Sequence, residues 1–361
     1  HFVKMVHNGI EYGLMQILAE TYDFMRRVLK MNYDQMSRTF EHWNNAELNS
    51  FLVEITVEVL RKIDAETGKP LVEMVLDKAA QKGTGKWTSQ AAMDFGVPIP
   101  TIDSAVSMRQ ISAQKDIRML VAAKFGSQVE TVSVAAAAKT NGDVVSSEQL
   151  FDAKAERAAK SFETVVSQIH SENIDEHIAR HSDTTVENAG DENKNTELRA
   201  QVKENYYEFI EELKNALLSS FIVTYAQGMS LLQIASIEKN YGLNLSEIAK
   251  IWRGGCIIRS TLLEEMRRAY AENAALPNLM LDNQFAEILN DRREHWRTIT
   301  EKFTESRVPA LCLTSALCYF DAFRSEILPA NLIQAQRDFF GAHTYQRNDK
   351  EGIFHTPDWN K

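Results

Sequence analysis

The stretch Ile17–Leu29, which reads ILAETYDFMRRVL, decides the fold class. Ile17, Leu18, Tyr22, Met25, Val28 and Leu29 recur at the three-and-four spacing of an amphipathic helix. Leu48, Leu52, Ile55, Val59 and Leu60 repeat the pattern, and similar stripes run along almost the whole chain. Alternating runs bounded by turn dipeptides, the mark of strands, are nearly absent. The breakers fall between stripes, at Gly68-Lys69-Pro70, Gly83-Thr84-Gly85, Gly96-Val97-Pro98, Pro309 and Pro329. With only 15 glycines and 7 prolines in 361 residues, the chain has too few turn formers for a barrel or sandwich. It reads as all-α.

A weak internal repeat runs through these helices. Tyr12-Gly13-Leu14-Met15-Gln16-Ile17-Leu18 is echoed by Gly228-Met229-Ser230-Leu231-Leu232-Gln233-Ile234. Trp43 followed by Ser50-Phe51-Leu52-Val53-Glu54 is echoed by Trp252 followed by Ser260-Thr261-Leu262-Leu263-Glu264. Two related multi-helix halves give this pattern, and so does chance likeness between amphipathic stretches. Residues 130–200 differ in kind. Phe151, Ala155, Ala158, Phe162, Val165 and Ile169 form a coiled-coil-like seam, and Ser182–Glu197 is polar and acidic with little to bury. The segment reads as an inserted helical arm with a flexible return. It holds 14 acidic and 7 basic side chains, so most of the chain's net charge of −10 belongs to it.

A hydrophobic share of 44 % against 25 % charged residues excludes global disorder, and the negative balance disfavours nucleic acid and anionic membrane surfaces. The charge-free run Asn215–Ile237 carries Gln227-Gly228 at its centre and reads as a buried bundle helix, so no membrane span is expected. Cys256, Cys312 and Cys318 are odd in number and lack metal-ligand spacing, as for reduced thiols of a cytoplasmic protein. No secretory leader is seen; His1 in place of Met suggests a fragment or processed chain. His177 and His181 sit at i, i+4 but without the glutamate of a zinc-protease helix, and no metal is expected. Gly254 and Gly255 read as a close approach of two backbones.

Two stretches carry chemistry. On a helix, Lys4, His7, Asn8, Glu11 and Tyr12 share one face. That face offers one amine, imidazole, amide, carboxyl and phenol, each once, where a solvated face repeats Glu, Lys and Gln. Lys4 and Glu11 lie two turns apart and can bracket a small substrate; desolvation of such a pair suits base–acid work. An ordinary solvated face remains the other reading of these five residues. Gln81-Lys82-Gly83-Thr84-Gly85-Lys86-Trp87-Thr88 combines glycines, a hydroxyl and two lysines, a composition suited to phosphate. It is not a Walker loop, because Trp87 follows Lys86.

These stretches resemble 6-phosphogluconate dehydrogenases. The likeness runs from His1-Phe2-Val3-Lys4-Met5-Val6-His7-Asn8-Gly9-Ile10-Glu11-Tyr12-Gly13 through the Gln81–Thr88 stretch to Trp252-Arg253-Gly254-Gly255-Cys256-Ile257-Ile258-Arg259. It closes with Pro329–Tyr345, PANLIQAQRDFFGAHTY, and covers nearly the whole chain except residues 130–200. The family oxidatively decarboxylates 6-phosphogluconate to ribulose 5-phosphate with reduction of NADP, or NAD in some members. The resemblance implies that Lys4 is the general base and that Glu11 protonates C1 of the enediol. It implies that His7 and Asn8 hold the substrate beside the cofactor, with Asn8 also touching NADP. Tyr12, Lys82, Thr84 and Arg109 match the phosphate clamp, and Arg337 and His343 the residues that reach a neighbouring subunit's site, so an obligate homodimer is implied.

Phe339 stands where a Tyr is common in the family, and Leu14 where an acid is common; neither position carries its chemistry. The family's cofactor lies on an upstream Rossmann domain, and no strand–glycine–helix unit is found in these 361 residues. The implied layout is a catalytic and dimerisation domain over 1–129 and 201–345, the acidic insert 130–200, a tail 346–361, and an absent N-terminal Rossmann domain. The alternatives are a non-catalytic helical dimerisation module and another β-hydroxyacid dehydrogenase, which would share the Lys base without needing the clamp.

Overall fold

A computed structural model describes residues 1–126 and 192–359, with backbone alone from 192 to 205. The seam Phe151–Ile169 and the His177/His181 pair lie outside the described residues. The long stripe at the N-terminus forms α1 (Phe2–Arg27), whose inward positions Val6, Ile10, Leu14, Ile17, Leu18 and Phe24 are buried. Next come α2 (Tyr33–Asn44), α3 (Phe51–Arg61), α4 (Leu71–Met74), α5 (Thr84–Asp94), α6 (Pro100–Ala113) and α7 (Lys115–Phe125). The second described stretch holds α8 (Glu192–Glu238), α9 (Leu245–Trp252), α10 (Leu262–Glu272), a 3-10 turn at Leu279–Leu281, α11 (Asn283–Glu305), α12 (Leu311–Phe323) and α13 (Ala330–Gly341). The described residues contain isolated β-bridges and no strand, so the chain is all-α.

Caps explain where several helices begin. Asn32 and Gln35 form a reciprocal capping box on α2, at 2.9 and 2.8 Å. Ser50 caps α3 and Asn244 caps α9 through side-chain oxygens that accept from the third residue onward. Helix α8 is already in place at Glu192, inside the stretch Ser182–Glu197 expected as a flexible return.

Helices α1 and α8 cross at the centre of the first unit, His1–Leu317. A Cβ on Gly13 would stand 2.6 Å from Thr224, and one on Gly228 2.5 Å from Ile10, so both helices give up a side chain where they touch. The echoed segments meet in space as well. Ser50 and Ser260 pair as an antiparallel bridge, with Phe51 N–H donating to Arg259 O at 2.9 Å and Thr261 N–H to Asn49 O at 3.0 Å. Equivalent points of α1–α2–α3 and α8–α9–α10 therefore face each other, as in two related halves. The apolar run in α8 is long enough to cross a membrane, yet 89 % of that window is buried inside the unit.

The second unit, Cys318–Lys361, is organised by one carboxylate. Asp338 of α13 is 1 % exposed and accepts from Thr344 N–H (3.0 Å), Thr356 N–H (2.9 Å), His355 Nδ1 (2.8 Å) and Trp359 Nε1 (3.1 Å). Residues 346–359 are thus tied to the helix that carries Arg337. Burial by itself would raise the Asp338 pKa; the four donors outweigh it and hold the carboxyl at about 2. Its contribution to order is complete above 3.8, the ordinary aspartate value, and is lost as pH falls from there toward about 2. Asp338→Asn is expected to speed amide exchange across residues 343–359 at pH 7, read by peptide-resolved mass spectrometry; unchanged exchange at Thr356 would overturn this role.

Candidate active site

Helix α1 presents Lys4, Asn8 and Glu11 toward solvent on one side, while His7 and Tyr12 turn inward from it. Lys4 is exposed at the open end of the face. Glu11, two turns on, is only 17 % exposed, and burial raises its pKa despite the opposing charges of Lys4 and Arg109. His7 is 2 % exposed, and its ring meets Trp252 edge-on with centroids 5.6 Å apart. Its Nδ1 lies 3.1 Å from Asn8 Oδ1 and 4.0 Å from Glu11, leaving Nε2 unpartnered. Burial lowers the His7 pKa against the pull of Asn8, and the Lys4 charge lowers it further, so the imidazole is neutral at pH 7.

The glycine stretch docks beside this face. Thr88 Oγ1 donates toward Met5 O at 2.8 Å and Thr84 O at 2.9 Å, fastening α5 to α1. Gly85 lies flat on the Tyr12 ring, where a Cβ would come within 2.4 Å. That contact brings Thr84 and the first turn of α5 up to Tyr12. Arg109 of α6 closes the group, with its guanidinium 3.5 Å above the Tyr12 ring centre and its Nη1 donating to Ala80 O at 3.1 Å. Lys82 is exposed one residue ahead of Gly83, whose φ of +92° makes the turn into α5. The first-turn N–H groups, the Thr84 hydroxyl and the Arg109 guanidinium, with Lys82 on the adjoining turn, are a set of donors whose chemistry suits an anion.

Seven predicted residues thus fall into one neighbourhood, Lys4, His7, Asn8, Glu11, Tyr12, Thr84 and Arg109, and Lys82 is exposed on the turn that leads into α5. Arg337 and His343 belong to the C-terminal unit. There Arg337 donates to Gln334 at 3.0 Å, and His343 packs on Phe340 with centroids 5.8 Å apart. The sequence reading missed what Trp252 and Cys256 do. Helix α9 ends at Trp252, and Gly255, at φ +89°, turns the chain with no atom near enough to need its missing Cβ. The two glycines are a turn rather than a backbone crossing. The turn brings the half-buried Cys256 thiol within the field of Lys4 and Glu11, and burial raises its pKa. Among the described residues no three His, Cys, Asp or Glu side chains gather as a metal site.

An all-α unit of two facing halves, with an amine–carboxyl face beside an anion-ready helix N-terminus, has a known counterpart. The chain belongs to the family of 6-phosphogluconate dehydrogenase C-terminal domains, whose profile matches residues 1–153 and 152–359. It is 41 % identical over 361 residues to the NADP(+)-dependent, decarboxylating 6-phosphogluconate dehydrogenase of Bacillus subtilis, covering all of this chain and 62 % of that protein. The decarboxylating enzyme of Shigella flexneri is 40 % identical over 356 residues, covering 99 % of this chain and 61 % of that one. A solved structure of the Plasmodium falciparum 6-phosphogluconate dehydrogenase, studied in apo form and with NADP+ or 6-phosphogluconate, superposes with a TM-score of 0.75. It is 35 % identical and matches 99 % of this chain and 62 % of that one. The chain spans about three-fifths of the length of these relatives.

Proposed function

We propose that this chain is the substrate-binding and catalytic face of a decarboxylating 6-phosphogluconate dehydrogenase, which converts 6-phosphogluconate to ribulose 5-phosphate and CO2 as NADP is reduced. One observation carries the reading: an amine and a half-buried carboxyl share the α1 face, and a guanidinium and a helix N-terminus adjoin it. The phosphate is held by Lys82, Thr84, Tyr12, Arg109 and the N–H groups that open α5. The sugar then lies along α1 toward Lys4.

Lys4, as the free amine, takes the proton of the C3 hydroxyl while the C3–H bond is oxidised. The resulting ammonium returns a proton to the C3 carbonyl oxygen as the C1–C2 bond breaks and CO2 leaves. Glu11 keeps its proton more readily than an ordinary carboxyl and delivers it to the carbon that lost CO2. His7, buried with its Nδ1 against Asn8 Oδ1, fixes the Asn8 carboxamide, and Asn8 holds the adjoining substrate hydroxyl. NADP, when bound, supplies the two-electron acceptor. The carboxamide of Asn8 suits the nicotinamide end, and the described residues hold no strand–glycine–helix turn for a pyrophosphate.

Arg337 and His343 are proposed to complete the site of a second subunit. The exposed Leu332, Ile333, Phe339 and Phe340 around them support a homodimer interface. Three free thiols support a cytoplasmic setting. The test is a chimera in which this chain replaces the matching 62 % of the Bacillus subtilis relative. It is expected to sediment as a dimer and to reduce NADP with 6-phosphogluconate. A folded, dimeric chimera without turnover would sink the reading.

A further inference from the structure

Lys82 and the opening of α5 sit at the end of a nine-residue segment, Val75–Gly83, that has no helix of its own. A segment this exposed would have to be ordered each time an anion bound, and that ordering opposes binding. Three attachments hold it from the α6–α7 corner. The Asp77 carboxylate pairs with both Lys115 and Arg118, the latter at 2.9 Å, and Arg118 Nη2 donates to Asp77 O and Ser112 O, each at 3.1 Å. Ser112 Oγ accepts from Ala79 N–H at 3.0 Å and donates to Arg109 O at 2.7 Å. Arg109 itself donates to Ala80 O and caps the Tyr12 ring. The chain of contacts is continuous from Asp77 through Ser112 to Arg109 and Tyr12.

From this continuity we infer that Asp77 and Ser112 are positioning residues for phosphate recognition. They touch no substrate atom; they hold the backbone that carries Lys82 and the base of Arg109 at one spacing. The inference rests on the phosphate reading given above. Isolated surface ion pairs contribute little, but here one carboxylate joins two cations and a serine links loop to helix. Hydrogen bonds from Lys115 and Arg118 hold the Asp77 carboxyl at about 2, so it faces both cations as a carboxylate near neutral pH.

Equilibrium titrations of the whole chain with 6-phosphogluconate and with gluconate test this, the readout being the ratio of the two dissociation constants. In Ser112→Ala and Asp77→Asn that ratio, the preference for the phosphorylated sugar, is expected to fall about fivefold to tenfold. Asp77→Glu, which keeps the charge, is expected to recover most of it. Loss of the same size for both sugars would mark a general structural effect and overturn the inference, as would an unchanged ratio in a folded variant. Lys82→Ala and Arg109→Ala are measured alongside. If they lower the ratio while the Ser112 and Asp77 variants do not, positioning alone is refuted. If they leave it unchanged, the phosphate reading fails and the inference falls with it.

Discussion

Lys4→Ala in the Bacillus subtilis chimera is expected to lower kcat about a thousand- to ten-thousand-fold while the Kd for 6-phosphogluconate rises only a few-fold. The asymmetry follows from where the amine stands. The anion is held by groups of α5 and α6, so the loss of Lys4 removes one cation among several from the ground state. In the transition state no other described group on the face is an amine placed to take the C3 proton; His7 is buried, and its Nδ1 is directed at Asn8. Lys4→Arg separates the two duties, because a guanidinium keeps the charge and cannot serve as a base near neutral pH. It is expected to restore the affinity and leave kcat low. Glu11→Gln is the internal contrast: it spares the first oxidation, so single-turnover NADPH formation stays near normal while release of ribulose 5-phosphate slows. A Lys4→Ala enzyme keeping more than a tenth of normal kcat would remove Lys4 from the role of base.

How much of this could be read from residues alone depended on range. The α1 face was legible because a helix repeats every 3.6 residues, and five unlike polar groups on one stripe stand out from a solvated repeat. The echo of Trp43 and Ser50 by Trp252 and Ser260 was legible as similarity, but the Ser50–Ser260 bridge that makes it a contact is a tertiary event. Gly254-Gly255 was misread because local sequence does not distinguish a glycine needed for φ from one needed for room; the +89° at Gly255 decides for the former. Asp77, Ser112 and Asp338 left no trace at all. Each works through partners between three and forty-one residues away, in patterns without period, and an isolated Asp or Ser reads as an ordinary surface residue.

The same limit hid Glu20, which sits on the solvent-free side of α1 and yet is a carboxyl at 2 % exposure. Its two oxygens accept from Cys312 N–H at 3.0 Å and Leu313 N–H at 2.9 Å, and Gln16 adds a third bond at 3.1 Å. It therefore takes the place of a cap on α12, supplied from a residue nearly three hundred positions earlier. Glu20→Ala strands two buried N–H donors and opens a void. The expected cost is about 3–5 kcal/mol at pH 5, read by urea unfolding of the chain. Burial pushes this carboxyl up to about 7, against hydrogen bonds that favour the anion. An unfolded glutamate titrates near 4.5, so between 4.5 and 7 the folded state holds a proton that the unfolded chain has released. Raising the pH through that window lowers stability. Glu20→Gln has nothing to titrate there, and its deficit relative to the natural chain is expected to shrink as pH climbs from 4.5 toward 7. A deficit that stays flat would mean that Glu20 is an anion throughout, its three donors having overcome burial. A Glu20→Ala cost under about 1 kcal/mol would mean that α12 is held in place by its apolar face alone.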